Sequence, residues 1–480
     1  MRTKLFVFLG FACSVMSQLH AQNNGPLRDS GPGENERRSP SQQYSIEQAI
    51  SDNAQLHTIA FDGLAFVTGN FGASTFMPPG KVCDFFGFQY MRDIDAAQEG
   101  HNPMFLNRVA GNVLETLNAG QKQKFIDLAD EQAPELEALA RMRLPLIKAF
   151  HRQLDRQIPA GSQGLDEAAV IQYVGEIFEK DAELSLRRAE VMAQVSRSLT
   201  PEQKTYFAKM KFGDFNSWPA IDERDKIKAV GRGKSQIFNV AYMTYASEFF
   251  SWTSGNVDAD TYFCPERHGT YFGGFYMKDM PAMGKRDYDI STSRTGDSGR
   301  DFLEQVLTPS QRTQITGILP KQQKAIAETL HVRRAIALEL RKYLAGQTPD
   351  RAKVLTLGRR YGELDGEMSW LYATAFANVN RTLTVSQRAA LVKLRNLDGY
   401  KSAEAYIYSR PITGDLTLPE TDRFFFAPGG PAGAVDPIDF IPHDVVSVDV
   451  LPEYPMTIAV MAKDNTDPNT GLDISQAPTK

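Results

Sequence analysis

The sequence predicts a mainly α protein: two tandem pseudo-symmetric helical-hairpin units with irregular aromatic segments and a small C-terminal β extension. Three observations carry this. A helix-start motif recurs four times, as Leu117-Asn-Ala-Gly-Gln121-Lys122, Leu199-Thr-Pro-Glu-Gln203-Lys204, Leu307-Thr-Pro-Ser-Gln311-Arg312 and Leu383-Thr-Val-Ser-Gln387-Arg388. The copies fall into two pairs of similar spacing, so the first and third each open a half and the second and fourth each close one. Between them, apolar residues recur at steps of three and four, the period of a half-buried helix.

Each copy reads as a capping box. In the second, Thr200 takes the N-cap position and accepts from the backbone N–H three residues on, while Gln203 reaches back to the N–H of the cap residue. Pro201 suits the first helical position, where no N–H is needed. The leading Leu packs on the first turn. One such cap contributes about 1 kcal/mol.

The elements follow in chain order. Arg2 and Lys4, the apolar run over 5–16 and the box Leu19-His20-Ala21 read as a secretory signal peptide over 1–21, which places the mature protein in a periplasm or outside the cell. Phe11 is too bulky for a lipoprotein signal ahead of Cys13. Residues 22–43, rich in Asn, Gly, Pro, Ser and Arg, read as a disordered linker.

The first helical unit is expected over 44–230. It begins with a short helix at 45–57 and a Gly- and Phe-rich stretch over 61–90, ordered by aromatic packing rather than helical period. Phe125, Leu128, Ala129, Leu136, Leu139 and Met142 then mark a long helix, with a break expected near Pro134 and a kink or division at Pro145. Ile147, Phe150 and Leu154 continue the stripe to a loop at 159–164. A second long helix carries Val170, Val174, Ile177 and Phe178 and ends before Leu199.

The second helical unit, over 231–408, repeats this order. Residues 239–255 resemble 60–69, Cys264 corresponds to Cys83, and Tyr276-Met277-Lys278-Asp279 matches Tyr90-Met91-Arg92-Asp93. A long helix is expected from Thr308, a loop at 346–349 and a further helix to Leu383. The Pro/Gly-rich extension over 409–480 has no counterpart in the first unit. In it, Val446, Val448 and Val450, then Met456, Ile458 and Val460, alternate like two short strands that could pair with another chain in a surface assembly.

Composition narrows the function. A net charge of −5 gives no case for nucleic-acid binding. No stretch after the leader is apolar enough to span a membrane. There is no Gly-rich phosphate loop, zincin pair, nucleophile elbow or haem-attachment motif, so the sequence supplies no catalytic residue.

The cysteine segments leave alternatives open. Cys83 and Cys264, in an oxidising compartment, suit one disulfide, which would stabilise by about 2–4 kcal/mol. Alternatively Cys264, His268, Met277, Met280 and Met283 form a soft ligand set for copper or zinc. Two separate thiols, with the Met residues as filler beside aromatics, are the third reading.

A capped LTxxQ start, a long helical hairpin and a second LTxxQ start resemble the LTxxQ-motif family of periplasmic proteins, which includes Spy-like chaperones and metal-responsive relatives. The likeness covers residues 117–218 and 307–400. The resemblance implies ATP-independent holding of unfolded or apolar protein segments, in a groove between two units that together mimic the family's homodimer. It implies a basic concave face, for which the candidates are Arg141, Arg143, Lys148 and Arg152 in the first unit and Arg333, Arg334, Arg341 and Lys342 in the second. Further self-association into a homo-oligomer is compatible with it. Two departures are the net acidic charge and the aromatic segments ahead of each unit.

Overall fold

The computed structural model describes residues 103–210, 232–254 and 301–394, short stretches at 43–45, 52–68, 406–407, 410–411, 422–426 and 457–459, and single residues 230, 257 and 299. The expected signal peptide, almost all of the linker, Cys83, Cys264, His268, Met277, Met280 and Met283 lie outside them, and so does the strand expected at 446–450.

The described chain is mainly α. Helix α1 spans Asp52–Thr68, α2 Pro103–Thr116, α3 Ala119–Met142, α4 Leu144–Leu154, α5 Glu167–Arg197, α6 Pro201–Lys209 and α7 Gln236–Ser254. A π-helical turn at Phe302–Val306 precedes α8 (Pro309–Thr316), α9 (Leu319–Arg341), α10 (Arg351–Thr382) and α11 (Val385–Leu394); a last turn, α12, is Asp422–Phe425. Two minimal antiparallel pairs complete it: β1 (Gln43–Ser45) with β4 (Thr457–Ala459), and β2 (Tyr406–Ile407) with β3 (Arg410–Pro411). Among the described residues no helix is long and apolar enough to cross a membrane.

Several boundaries differ from the sequence reading, each for a local reason. Helix α1, described from Asp52, runs through the first of the Phe-rich residues to Thr68, because Ile59, Ala60, Leu64 and Phe66 are all buried. Helix α3 passes through Pro134 unbroken. That proline is exposed, on the side where the preceding turn's carbonyl can tilt out to water. Pro145 does divide the hairpin arm, sitting in the first turn of α4. In the second half the arm from Thr308 is split at Gly317, and Pro320 opens α9.

The centre is the antiparallel contact of α5 and α10, of 31 and 32 residues. Each starts on an aspartate N-cap: Asp166 accepts from the Ala169 N–H at 2.9 Å and Asp350 from Lys353 at 3.0 Å. Helix α10 carries Gly358, Gly362 and Gly366 at steps of four, a ridge without side chains. A Cβ at Gly362 would stand 2.5 Å from the Val174 carbonyl oxygen and 2.7 Å from Phe178 Cβ. The backbones therefore approach closer than a side chain at Gly362 would allow, and dispersion contacts form between them. Phe178 meets Tyr361 edge-on at 4.8 Å, closing the crossing on one side.

Helix α3 lies along α5, and α9 along α10. The two helices ahead of the hairpins dock crosswise. Helix α7, which precedes the second hairpin, packs on α2, α3 and α5 of the first; α1, which precedes the first, packs on α8, α9 and α10 of the second. Hydrophobic burial draws on both halves in one continuous core.

The close crossing yields a test. Gly362→Ala is expected to lower stability by about 1–3 kcal/mol through overpacking, read as a fall in the denaturant midpoint. Gly120→Ala, where the added methyl meets only the Asn118 side-chain oxygen at 3.5 Å, is expected to be neutral or mildly stabilising.

Candidate functional site

All four LTxxQ-like motifs start helices with a reciprocal cap. The Thr200, Thr308 and Thr384 hydroxyls and the Asn118 side-chain oxygen accept from the N–H of Gln203, Gln311, Gln387 and Gln121, at 3.0–3.3 Å. Each glutamine Oε1 accepts the cap's own N–H at 2.9 Å. This leaves each amide Nε2, with two donors, free to reach elsewhere.

It reaches the other motif of the same half. Gln203 Nε2 donates to Gln121 Oε1 at 2.8 Å and to the Thr116 carbonyl at 2.8 Å, while Gln121 Nε2 donates back to Gln203 Oε1 at 3.2 Å and to the Ser198 carbonyl at 3.1 Å. The second half repeats the arrangement. Gln387 Nε2 donates to Gln311 Oε1 and to the Val306 carbonyl, each at 2.7 Å, and Gln311 Nε2 donates to Gln387 Oε1 at 3.4 Å and to the Thr382 carbonyl at 3.1 Å. The glutamines pair across 82 and 76 positions. Each lock ties the start of α3 or α8 to the helix after the hairpin. Gln121, Gln203 and Gln311 are buried.

A second set of polar groups lies under the crosswise helices. Beneath α7, Arg188 is fully buried, 3.3 Å from Glu248 and 3.5 Å from Asp181, with its guanidinium over the Tyr245 ring at 5.3 Å. The Tyr245 hydroxyl donates to Gln132 Oε1 at 2.7 Å, and Gln132 Nε2 donates to the Leu184 carbonyl at 2.8 Å. Under α1, Gln322 Nε2 donates to Gln55 Oε1 at 3.2 Å, and Asp62, Asp365 and Tyr372 are buried alongside. Burial and then the Asp62 carboxylate raise the Tyr372 hydroxyl well above its ordinary pKa, so it stays protonated.

The eight basic candidates do not share one surface. Arg143 and Arg333 are buried in the core, not on an open face, and Arg333 lies over the Tyr361 ring at 5.5 Å. Arg141 and Lys148 are exposed, Arg141 pairing with Glu137 at 2.9 Å. Arg152 is half-buried, donating to the Gln157 carbonyl and lying over Phe426. Arg334 is half-buried. Arg341 donates to the Trp252 carbonyl at 3.0 Å, and Lys342 pairs with Glu339 at 2.6 Å.

An open groove of about 410 Å³ beside α3 and α5 contains Glu131, Glu135, Glu183 and Glu190. Arg187, Lys180 and Arg351 pair with all four within 3.0 Å, Arg187 serving both Glu131 and Glu190, so most of the negative charge is compensated. Among the described residues no group of three His, Cys, Asp or Glu is placed to hold a metal ion.

The glutamine locks were half-legible: the motif gives the cap but not the cross-pairing, whose only sequence signal is that Gln, not Glu, stands at all four positions. The Gly358, Gly362, Gly366 period was readable as a close-packing face. Arg188 and Glu248 carry no local signal. No protein-family model, curated protein or solved structure matches this chain.

Two outcomes are expected. Gln121→Ala and Gln203→Ala should each cost about 1–3 kcal/mol by stranding a buried amide. The double variant should cost measurably less than their sum in a denaturation cycle. The second concerns His151, on α4, whose ring meets Phe66 at 5.3 Å. One edge still reaches solvent, yet burial lowers its pKa to about 4. Its folded pKa lies below the unfolded value of about 6.5. The neutral ring therefore adds stability above pH 6.5 that is lost as pH falls toward 4. Denaturant midpoints over that window should drop less steeply for His151→Phe than for the parent.

Proposed function

We propose that this protein is exported and, without a nucleotide, holds unfolded or apolar segments of other proteins, using two LTxxQ-like helical units fused in one chain. The observation that carries the reading is the glutamine lock made twice. A motif that closes a hairpin onto its own start, in both halves and with the same donors and acceptors, supports likeness to the LTxxQ family beyond the letters of the motif.

Duplication is part of the proposal. Aligning Asp166 with Asp350 pairs Val174 with Gly358, Phe178 with Gly362 and Ala182 with Gly366. The close contacts Gly358 with Ala182 and Gly366 with Val174 then exchange into one another, and Gly362 with Phe178 maps onto itself. That reciprocity is what an approximate two-fold axis through the α5–α10 crossing requires. The crosswise docking of α1 and α7 fits the same axis. On this reading the fusion is a covalent dimer. Of the eight basic candidates, Arg141 and Lys148 are exposed and have surface left to meet a client.

The test is aggregation of a chemically denatured reporter protein, followed by light scattering without nucleotide. Suppression near equimolar ratio is expected. No suppression at tenfold excess would refute the reading.

A further inference from the structure

We propose that the tip of the first hairpin is a recognition site for a short run of aromatic residues, and that residues 424–426 of the chain's own C-terminal extension fill it as a permanent strap. The inference is independent of the client-holding reading.

The site is built from the hairpin outward. Tyr173, on α5, donates its hydroxyl to the Met142 carbonyl at the end of α3 at 2.6 Å, so both arms of the hairpin hold the ring in place. Phe425 and Phe424 meet that ring edge-on at 5.2 and 5.8 Å, and each other edge-on at 4.8 Å. Edge-to-face contact is the arrangement that aromatic quadrupoles favour. Phe426 lies under the Arg152 guanidinium at 4.9 Å, a cation–π contact, and Arg152 is itself fixed by its bond to the Gln157 carbonyl at 3.0 Å. The backbone is recognised as well: the Asp166 N–H donates to the Phe425 carbonyl at 2.8 Å. Phe425 and Phe426 are 2% and 1% exposed, although α12 is a single turn and supplies no core of its own.

The second hairpin lacks this site. Aligning Gln121 with Gln311 pairs Ala149 with Glu339 and Arg152 with Lys342, and aligning Asp166 with Asp350 pairs Tyr173 with Leu357. In the second half the Asp350 N–H donates to the Glu339 carboxylate at 3.2 Å, and that carboxylate also pairs with Lys342 at 2.6 Å and Lys353 at 3.0 Å. The second tip is thus closed by its own side chains. In the first, alanine stands in the place of the glutamate, and the equivalent N–H takes its acceptor from a segment that follows the second unit. A backbone N–H covered by protein needs an acceptor, and here the strap provides it. Consecutive aromatic residues offer everything the site takes: ring edges to Tyr173, a ring face to Arg152 and a carbonyl to Asp166. An aliphatic run offers only the carbonyl.

The test reads amide hydrogen exchange at Asp166 in the full chain, with the Asp350 amide as internal reference. Phe424→Ala, Phe425→Ala and Phe426→Ala together are expected to speed exchange at Asp166 roughly tenfold and to leave Asp350 unchanged. A peptide of residues 418–430 is expected to restore the protection, and the same peptide with leucine at all three positions is not. A second variant, Tyr173→Leu, gives the site the second half's residue and keeps it apolar. Trypsin cleavage after Arg423 is expected to be roughly tenfold faster in it than in the parent. Where Asp166 and Asp350 lose protection together, the triple variant has loosened as a whole and Tyr173→Leu decides: unchanged cleavage after Arg423 would overturn the proposal. So would full protection at Asp166 without the phenylalanines, or a leucine peptide that restores it as well as the parent one. A parent chain that runs as a dimer, and as a monomer once the phenylalanines are gone, would assign the segment to a second copy and overturn the strap within one chain.

Discussion

The close approach of α5 and α10 at Gly362 is the contact on which the rest of the architecture depends. Each hairpin presents one arm to this crossing and stacks its other arm, α3 or α9, outside it. A ridge of three glycines at steps of four costs about 1 kcal/mol per residue in helix propensity relative to alanine. Burial of Phe178, Tyr361, Val174 and Leu364 outweighs that, because each large apolar side chain removed from water gains about 1.5–3 kcal/mol. The ridge is periodic, however, and a slip of one turn would still align two glycines. Polar contacts select one register. Trp370 Nε1 donates to the Leu165 carbonyl at 3.0 Å and Asn380 Nδ2 to the Leu154 carbonyl at 3.2 Å. The half-buried pair Arg359–Glu179, at 2.6 Å, links the same two helices.

The interior separates two kinds of polar contact with different physical consequences. The glutamine locks are neutral, with hydrogen bonds of 2.7–3.4 Å to each other and to helix-end carbonyls, so they satisfy groups that every helix end leaves open. Their net contribution is stabilising. The Arg188–Glu248–Asp181 cluster is ionic and dry, and its distances of 3.3 and 3.5 Å are long for charge-assisted bonds. The desolvation cost of such a cluster rivals its attraction. It joins α5 to α7 through Arg188 and Glu248.

How far the sequence foretold this varies with the range of the interaction. The four capping boxes are local, three residues wide, and Thr200, Thr308, Thr384 and Asn118 all behave as their spacing required. The helix ends at Arg197 and Thr382 were equally readable. Pro134 misled, because the cost of a proline depends on which side of the helix it faces. Arg143 and Arg333 were read as surface residues because a cation is usually exposed, and nothing in the neighbouring residues reports that a second helix covers them. The crosswise seats of α1 and α7 join residues far apart in sequence, and an apolar helix advertises that it is buried without naming the partner. The cysteine and methionine segments fall outside the described residues and stand where the sequence left them.

Crosswise docking also has a meaning for how the chain is made. Domains generally fold as units, and here one core draws on both halves. The first hairpin ends at α6, yet the helix that packs on it, α7, comes later in the chain, and α1 packs on α8, α9 and α10 of the second half. Each hairpin is thus covered in full only when helices from the other half are present as well, so neither half closes its apolar surface by itself.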